Sequence, residues 1–223
     1  MTTNHLFTKL HSVIKQCSES DTVMGTKERK ERQKTEMRDA ILSAALKLFS
    51  DEGYDNVSMR KIADEIEYSV GTIYLYFKDR DEIFFELHKQ GFEEFYKRQL
   101  AVQDIKDPLQ RLTEHGLAYI QFAIDQPMYY DLMFISRIPA KTINKQHEWK
   151  SGNRAYDLLK LNISQAKDAG YFKKTDVEIA AFSLWSFVHG ISSLFVRDRM
   201  MMVPSEAIKP LVTGALKFLE RAY

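Results

Sequence analysis

The sequence predicts an all-α protein of about nine helices, with a small N-terminal head and a larger helical body. Apolar residues recur at helical spacing along the chain, and no stretch shows the strict apolar–polar alternation of a half-buried strand. Gly, Pro and good N-capping residues punctuate these stretches where helices would end or begin. A length of 223 residues with 44% hydrophobic content is sufficient for one or two domains with a real core.

The composition excludes several classes of protein. The formal net charge is +1, so any affinity for nucleic acid must come from the arrangement of charges rather than from their sum. Cys17 is the only cysteine, which excludes a disulfide framework and a cysteine zinc site. No apolar run is expected to reach the roughly 20 residues that span a bilayer, and residues 1–23 lack the pattern of a secretory signal. We therefore expect a cytoplasmic protein without membrane contact, metal or cofactor.

The N-terminal region reads as an extension followed by a basic arm, residues 1–33, that is flexible in part. A second start-like point lies at Met24, and residues 26–38 then carry six cations against three acids. Such an arm can lie along phosphates or in the minor groove of DNA. A solvated helical extension with i,i+4 ion pairs explains the same residues equally well.

Residues 35–52 form the first helix of the predicted head. Their apolar positions follow one helical stripe, at Ile41, Ala45, Leu48 and Phe49. Gly53 follows as the residue just beyond the helix end, where a left-handed conformation is common. This helix is expected to cover the backs of the next two.

Two short helices, with almost no linker between them, occupy residues 57–82 (VSMRKIADEIEYSVGTIYLYFKDRDE). Ser58 caps the first and Ser69 caps the second, and Ile73 and Phe77 mark the inward face of the second. Helices joined by about three residues must cross steeply, as in a helix-turn-helix, whose second helix can enter the major groove. Its outward positions are Val70, Gly71, Thr72, Tyr74, Leu75 and Tyr76, flanked by the cations Arg60, Lys61 and Arg80.

The same stretch resembles the DNA-binding signature of the tetracycline-repressor (TetR) family of bacterial regulators. The match lies in Ile62-Ala63, in Ser69-x-Gly71-Thr72-Ile73-Tyr74-x-Tyr76-Phe77 and in Arg80-Asp81-Glu82-Ile83. The resemblance implies that residues 34–80 are a DNA-binding domain. It also implies phosphate contacts from Ser58, Thr72, Tyr76 and Arg80, and base-facing positions at Arg60, Val70, Gly71 and Tyr74.

One residue of this segment departs from the family's usual sequence, and another limits which bases the surface can recognise. Glu67 stands where the turn usually carries Gly, and a positive φ there costs a non-Gly residue about 1 kcal/mol. Val70 offers only apolar contact, for example with a thymine methyl group.

A long fourth helix should begin after Asp79, which caps it with Glu82 at the third position. Its apolar positions continue to about residue 100, so it is about 30 Å long at 1.5 Å per residue. The resemblance implies that this helix is the lever between the head and a body of residues 81–223.

The rest of the chain, after about residue 100, is predicted to be helices separated by Gly, Pro and capping residues. The first expected elements are a helix from Asp107-Pro108 to Asp125, a short helix from Pro127 to Phe134 and a loop at 138–147. A helix at 148–169 should then end before Gly170. The next helix is capped by Thr175 with Glu178 and runs to about Met200, and the last helix spans 205–222 with Pro210 near its start.

The body carries more aromatic residues than a spacer needs. QPMYYDLMF (126–134) and WSFVHG (185–190) resemble the C-terminal, ligand-binding body of a TetR subgroup with a Trp-x-x-x-His-Gly run. Five residues are predicted to line a pocket: Tyr119, Phe122, Met133, Trp185 and His189. An aromatic stripe at this spacing also fits a packed core, and His189 alone fits a hydrogen-bonded core histidine.

Together these features predict a ligand-responsive DNA-binding regulator. We expect a repressor that binds a near-palindromic DNA operator as a homodimer and leaves it when a small apolar or amphipathic effector enters the body. The apolar surface for dimerisation comes from the last two helices, at Phe187, Ile191, Leu194, Phe195, Leu211, Val212, Ala215, Leu216 and Leu219, which could instead bury within one chain. The alternative function is a helical ligand-binding or carrier protein without DNA binding. An enzyme is not expected, because no catalytic or paired-ligand motif is visible.

Overall fold

A computed structural model of the protein describes residues 25–136 and 150–220. Within these ranges the chain forms nine α-helices, one 3₁₀ turn and one π-helical turn, and no strand. The predicted all-α class is therefore confirmed. The extension at 1–23 and the loop predicted at 138–147 lie outside the described residues.

The helices are numbered in chain order. They are α1 (Thr26–Glu52), α2 (Met59–Glu65), α3 (Val70–Tyr74), α4 (Arg80–Leu100), α5 (Pro108–Asp125), α6 (Pro127–Tyr130), α7 (Lys150–Asp168), α8 (Val177–Val196) and α9 (Ser205–Glu220). The 3₁₀ turn spans Tyr54–Asn56, and the π-helical turn spans Asp131–Ile135 directly after α6. The sequence predicted one short helix at 127–134, and the structure divides it between α6 and the π-helical turn.

The chain divides into two compact units, residues 1–40 and 41–223. In the described part of the first unit, residues 26–40 are helical and mostly exposed. Arg32 and Glu36 form an i,i+4 ion pair at 3.4 Å, and the Gly25 amide donates to Glu28 Oε2 at 3.1 Å. These contacts match the helical extension that the sequence offered as one of two readings of the arm.

The core of the head, in the second unit, follows the predicted apolar stripes. The buried side chains of the head come from α1, α2, α3, α4 and the segment between α3 and α4: Ile41, Ala45, Phe49, Ile62, Ala63, Ile73, Phe77 and Phe84. The Tyr54 ring lies 5.3 Å from Phe84 and 5.5 Å from Phe49, measured between ring centroids. Three aromatic rings therefore join the 3₁₀ turn to the beginning of α4.

Side-chain caps begin most of the helices where the sequence predicted them. Ser58, Ser69, Asp79 and Asp107 each accept a hydrogen bond from the backbone amide three residues later, at 2.7–3.2 Å. The predicted cap at Thr175 is wrong, because Asp176 accepts from the amides of Glu178 and Ile179 instead. A carboxylate is a charge-assisted acceptor at a helix N-terminus, which explains why the helix begins one residue later.

The ends of α7 and α8 are set by residues in the left-handed region. Gly170 has φ 99°, as expected of the residue after α7. Helix α8 ends at Val196 rather than near Met200 because Asp198 adopts φ 51° and the Arg199 amide donates back to the Leu194 carbonyl at 2.8 Å. This reversal stops the helix four residues early.

The body is built around α5, which packs against α4, α7, α8 and α9. Its buried apolar residues belong to two groups. One contains the aromatic residues Phe92, Phe95, Tyr119, Phe122 and Tyr130, and the other contains Leu112, Leu159, Ile163, Phe172 and Ala180.

Helix α8 is unusually apolar. By length and composition it could cross a membrane, with a mean hydropathy of 1.6 in its most apolar window, so the expectation that no apolar run reaches that length is wrong. Only 22% of that window is buried inside the described chain. Length and hydropathy do not distinguish a bilayer-spanning helix from one buried in an assembly. Most of this apolar window is therefore exposed or only half-buried in the described chain.

Candidate DNA-binding surface and effector cavity

Helix α3 has one face buried against the head and the opposite face exposed to solvent. It is five residues long, and the buried side chains of Ile73 and Phe77 hold it to the head. Three outward side chains are exposed to different degrees: Val70 by 40%, Tyr74 by 55% and Leu75 by 81%. An apolar and aromatic surface of this kind contributes nothing to the core of the head. It is therefore available to contact another molecule.

Gly71 faces solvent on the same helix. A Cβ placed there would meet only Ser69 Oγ, at an ordinary contact distance of 3.6 Å. The packing of the head therefore does not require glycine at this position. The missing side chain instead leaves room for a close approach from outside, as a base-facing position on a recognition helix would need.

Some of the other predicted DNA-contacting residues are exposed, and others are half-buried or already hydrogen-bonded within the head. Ser58 and Arg60 are exposed on α2, and Ser58 Oγ is also the helix cap. Thr72 and Tyr76 are half-buried, and the Thr72 hydroxyl is hydrogen-bonded to Ser69 Oγ at 2.9 Å. Thr72 can donate its hydroxyl proton to a phosphate when the Ser69 hydroxyl is the donor of the bond between them.

Arg80 has a structural role that the sequence did not predict. Its Nη1 donates to the carbonyl oxygens of Tyr54 and Val57, both at 2.8 Å, and its guanidinium lies 4.1 Å from the Tyr54 ring centroid. These contacts fix the 3₁₀ turn and the start of α2 to the start of α4. Contact between Arg80 and a DNA phosphate stays a prediction.

The turn between α2 and α3 contains the predicted strain. Glu67 has φ 59°, the left-handed conformation that glycine adopts without cost. The Glu67 amide donates to Asp64 O at 3.2 Å, and the Tyr68 amide donates to Ala63 O at 2.9 Å. This is the Schellman arrangement with Glu67 at the C′ position. The turn therefore has the Schellman geometry although no glycine is present.

A cavity of about 260 Å³ lies in the body among α4, α5, α7, α8 and α9. Most of its lining is apolar or aromatic, and includes Phe92, Phe95, Leu112, Tyr119, Phe134, Trp185 and Val188. Tyr119 and Trp185 were predicted as pocket residues and do line it. A neighbouring recess of about 340 Å³ shares Phe134 and Trp185 with the cavity and is also lined by Met133 and His189.

Phe122 lines neither space in the described structure and belongs to the core. Its side chain is fully buried, with its ring centroid 5.2 Å from that of Phe95 and 5.6 Å from the Arg98 guanidinium carbon. Tyr119 and Phe122 are three residues apart on the same broad face of α5, and both rings contact Phe95.

His189 is hydrogen-bonded to two tyrosines. The Tyr130 and Tyr119 hydroxyls lie 2.9 and 3.1 Å from His189 Nδ1, and Tyr130 also donates to the His189 carbonyl at 3.1 Å. Burial lowers the pKa of His189, so its neutral form is favoured. The imidazole is thus both a hydrogen-bonded core group, as one reading of the sequence expected, and part of the wall of the recess.

Sequence reasoning missed a buried polar cluster on the cavity wall. Gln99 Nε2 lies 3.0 Å from His115 Nε2, and Asn162 Nδ2 lies 3.2 Å from His115 Nδ1. Gln99 and His115 line the cavity. The available signal was periodicity: Gln99 follows Phe95 by four residues, and His115 precedes Tyr119 by four, so both occupy positions of the buried stripe.

Within the described ranges, no group of three or more His, Cys, Asp or Glu side chains could hold a metal ion.

Comparison with known proteins identifies both halves of the chain. Residues 41–87 match the family model described as bacterial regulatory proteins, tetR family, and residues 112–217 match a tetracyclin repressor-like C-terminal domain. The HTH-type transcriptional regulator HbdR of Aromatoleum sp. (strain CIB) is 29% identical over 160 residues, which cover 69% of this chain and 68% of HbdR. The HTH-type transcriptional regulator SAB2452 of Staphylococcus aureus is 33% identical over 91 residues, or 40% of this chain and about half (49%) of that protein.

Among solved structures, the transcriptional regulator FadR from Bacillus subtilis in complex with stearoyl-CoA has a similar fold. Its TM-score is 0.66 at 18% identity, over 81% of this chain and 96% of that one. The Trp-x-x-x-His-Gly subgroup suggested by residues 185–190 stays a prediction.

Proposed function

The chain belongs to the TetR family of bacterial regulators, and we propose that it is a repressor released from a near-palindromic operator when a small molecule fills the cavity of its body. That it is a helix-turn-helix, DNA-binding transcriptional regulator follows from its family. The sense of regulation, the ligand, the dimer and a cytoplasmic location are parts of the proposal. In it, residues 34–80 bind DNA, and residues 81–223 bind the effector and dimerise.

One observation supports the DNA-binding part of this proposal. Helix α3 is fixed by Ile73 and Phe77 while Val70 and Tyr74 face solvent beside Gly71. A helix presented in this way can enter a major groove, with Tyr74 contacting base edges and Val70 a thymine methyl. A carrier protein without DNA binding would have no use for such a surface. The basic residues of 26–38 could add contacts to phosphates or the minor groove.

A second copy of the chain is the proposed occupant of the apolar faces of α8 and α9. Large apolar side chains are exposed on both helices, at Ile179, Phe182, Leu194, Leu211 and Phe218. Two copies pairing through these faces would form a four-helix contact and cover α8. Val212 and Leu216, which the sequence assigned to the interface, are buried within the chain. Two heads about 34 Å apart would then read the two half-sites of a palindrome.

The effector is proposed to be small and apolar or amphipathic. The structurally similar FadR of Bacillus subtilis binds stearoyl-CoA. The cavity of this chain is about 260 Å³, just below the ~300 Å³ at which small-molecule pockets usually begin. A compact ligand therefore suits the cavity as it stands, whereas a long acyl chain would require the bundle to open.

The link between effector and head is proposed to run through α4. This helix begins at Arg80 in the head, and its residues Phe92, Phe95 and Gln99 line the cavity. A ligand that favours one packing of these side chains would move α4 and change the spacing of the two heads. Ligand and operator would then weaken each other by the same factor, typically about 1–3 kcal/mol.

A gel-shift titration against the DNA flanking the gene tests this function. The wild-type chain should bind a discrete fragment, and Tyr74→Ala should alter its sequence preference. Leu161→Ala, which removes an exposed side chain of α7 in the body, is the matched control and should leave binding unchanged. A wild-type chain that binds no fragment would favour the carrier alternative, and an unchanged preference in Tyr74→Ala would remove Tyr74 from the base-reading surface.

A further inference from the structure

The wall of the cavity is mainly apolar and carries an unpaired buried polar atom. Gln99 and His115 are each only 3% exposed, and Asn162 is fully buried. Gln99 Oε1 and Asn162 Oδ1 have no hydrogen-bond partner, and Gln99 lines the cavity. A buried polar group without a partner is costly, so its retention beside an open volume indicates a partner that comes from outside.

The cluster leaves one half of the Gln99 amide for a ligand. Burial lowers the pKa of His115 to about 4, so the ring is neutral near pH 7, with one N–H donor and one acceptor nitrogen. Both ring nitrogens are occupied, because Gln99 lies 3.0 Å from one and Asn162 lies 3.2 Å from the other. One of these amides must therefore present NH₂ to the ring and the other must present its oxygen. Gln99 presents Nε2 to the ring, so its Oε1 is the unused half of the amide.

The rest of the lining defines the charge of the ligand. None of the described lining residues is Lys, Arg, Asp or Glu. A carboxylate or an ammonium group would thus lose its hydration without gaining a counter-ion, which is strongly unfavourable. The hydroxyls of Thr113, Tyr119 and Tyr156 also line the cavity, but each already has a hydrogen-bond partner.

We propose that the cavity binds a compact, uncharged, mainly apolar molecule with one hydroxyl group, an alcohol or a phenol, which pairs with the free half of the Gln99 amide. The unpaired atom of Gln99 is its oxygen, Oε1, and a hydroxyl can donate to it. The cavity volume of about 260 Å³ limits the rest of the molecule to a small ring or a short chain. This inference rests on the proposed function, because it names the class of ligand for the same effector cavity.

Three probes of nearly equal size test the inference by calorimetry on the full chain at neutral pH. They are 4-propylphenol, its methyl ether 4-propylanisole, and the anion 4-propylbenzoate. The phenol should bind at least about ten-fold more tightly than the ether, because the ether cannot donate to the amide oxygen. The benzoate should show no binding. The inference is overturned if the ether or the benzoate equals the phenol, or if no probe binds up to its solubility limit.

Variants separate the hydrogen bond from the shape of the cavity. Gln99→Leu should reduce the phenol-to-ether affinity ratio to about one, mainly by weakening the phenol, while the ether still binds. Gln110→Leu is the matched control, because Gln110 is exposed on α5 and does not line the cavity; it should keep the wild-type ratio. An unchanged ratio in Gln99→Leu would remove Gln99 from the site.

A parallel gel shift distinguishes this inference from the proposed function. If the probes bind in the expected order but never change operator affinity, the ligand class stands and the effector role fails. If the chain binds its operator but no probe binds, the ligand class fails and DNA binding stands.

Discussion

The guanidinium of Arg80 lies over the ring of Tyr54, 4.1 Å from its centroid, and donates to the carbonyl of the same residue at 2.8 Å. The sequence and the family resemblance place Arg80 at the DNA surface. In the structure its Nη1 is directed at backbone oxygens of the segment between α1 and α2. We therefore expect a main effect of this arginine on the stability of the head.

Arg80→Ala should lower the free energy of unfolding by about 3 kcal/mol, because two charge-assisted hydrogen bonds and a cation–π contact are lost. Denaturant unfolding measures the change. Arg60→Ala is the control, since Arg60 is exposed on α2; its stability should stay within about 0.5 kcal/mol of wild type while DNA binding weakens. Wild-type stability in Arg80→Ala with loss of DNA binding would instead establish a direct phosphate contact.

Glu67→Gly should stabilise the head by about 1 kcal/mol, because glycine adopts the left-handed conformation at φ 59° without steric cost. The same substitution at Glu93, an exposed position inside α4, should destabilise the chain by about 1 kcal/mol. Thermal or denaturant unfolding of the two variants should therefore shift in opposite directions. A shift in the same direction would mean that the turn conformation is not the deciding factor at residue 67.

Gly91→Ala should destabilise the body, because α4 packs directly against the segment that follows α5. A Cβ at residue 91 would lie 2.5 Å from Met133 Sδ and 3.0 Å from Tyr129 Cδ1. Overpacking outweighs the gain in helix propensity, and we expect a net loss of about 1–2 kcal/mol. Gly116→Ala is the control, since its Cβ would meet neighbours at 3.4 Å, and it should be close to neutral.

A double-mutant cycle tests the cause of the Gly91 effect. Met133→Ala combined with Gly91→Ala should recover most of the loss attributed to Gly91→Ala, because the obstructing sulfur is removed. Strict additivity of the two changes would show that Met133 is not the residue that Gly91 accommodates.

Stability should fall as the pH is lowered from about 6.5 towards 4. Burial lowers the pKa values of His88 and His115 to about 4, while the unfolded chain titrates near the usual value of about 6.5. The unfolded state therefore binds more protons in this window, and each histidine removes on the order of 3 kcal/mol by its lower end. Full stability is kept above the window. His115→Gln should make the loss of stability across this pH range smaller by the contribution of one histidine. Denaturant unfolding at several pH values across the range measures the change.

Phe182→Glu or Phe218→Glu should convert a dimer into monomers. These rings are 61% and 69% exposed on α8 and α9, and a carboxylate buried at a dimer contact would be left unpaired. Sedimentation velocity measures the change. Met202→Glu, which alters an exposed residue between the two helices, should leave the dimer intact. A wild-type chain that is monomeric at every concentration would end the proposal of a second copy on these faces.

The sequence by itself determined the helices and most of their starts. Ser58, Ser69, Asp79 and Asp107 cap where they were expected to, because a cap joins a side chain to an amide only three residues away. The buried stripe of Ile41, Ala45 and Phe49 was equally predictable, since helical periodicity is a local property. The sequence predicted Thr175 instead of Asp176 as the cap of α8, because both of these adjacent residues can cap a helix.

Only the tertiary structure decided what the long-range contacts do. Arg80 reaches carbonyl groups 23 and 26 residues away, and Asn162 reaches His115 across 47 residues. Such pairings depend on how whole helices cross, which no periodicity encodes. For the same reason, the sequence could propose Tyr119 and Phe122 together as pocket residues. The packing of α5 placed Tyr119 at the cavity, left Phe122 in the core, and brought Gln99 to the cavity wall.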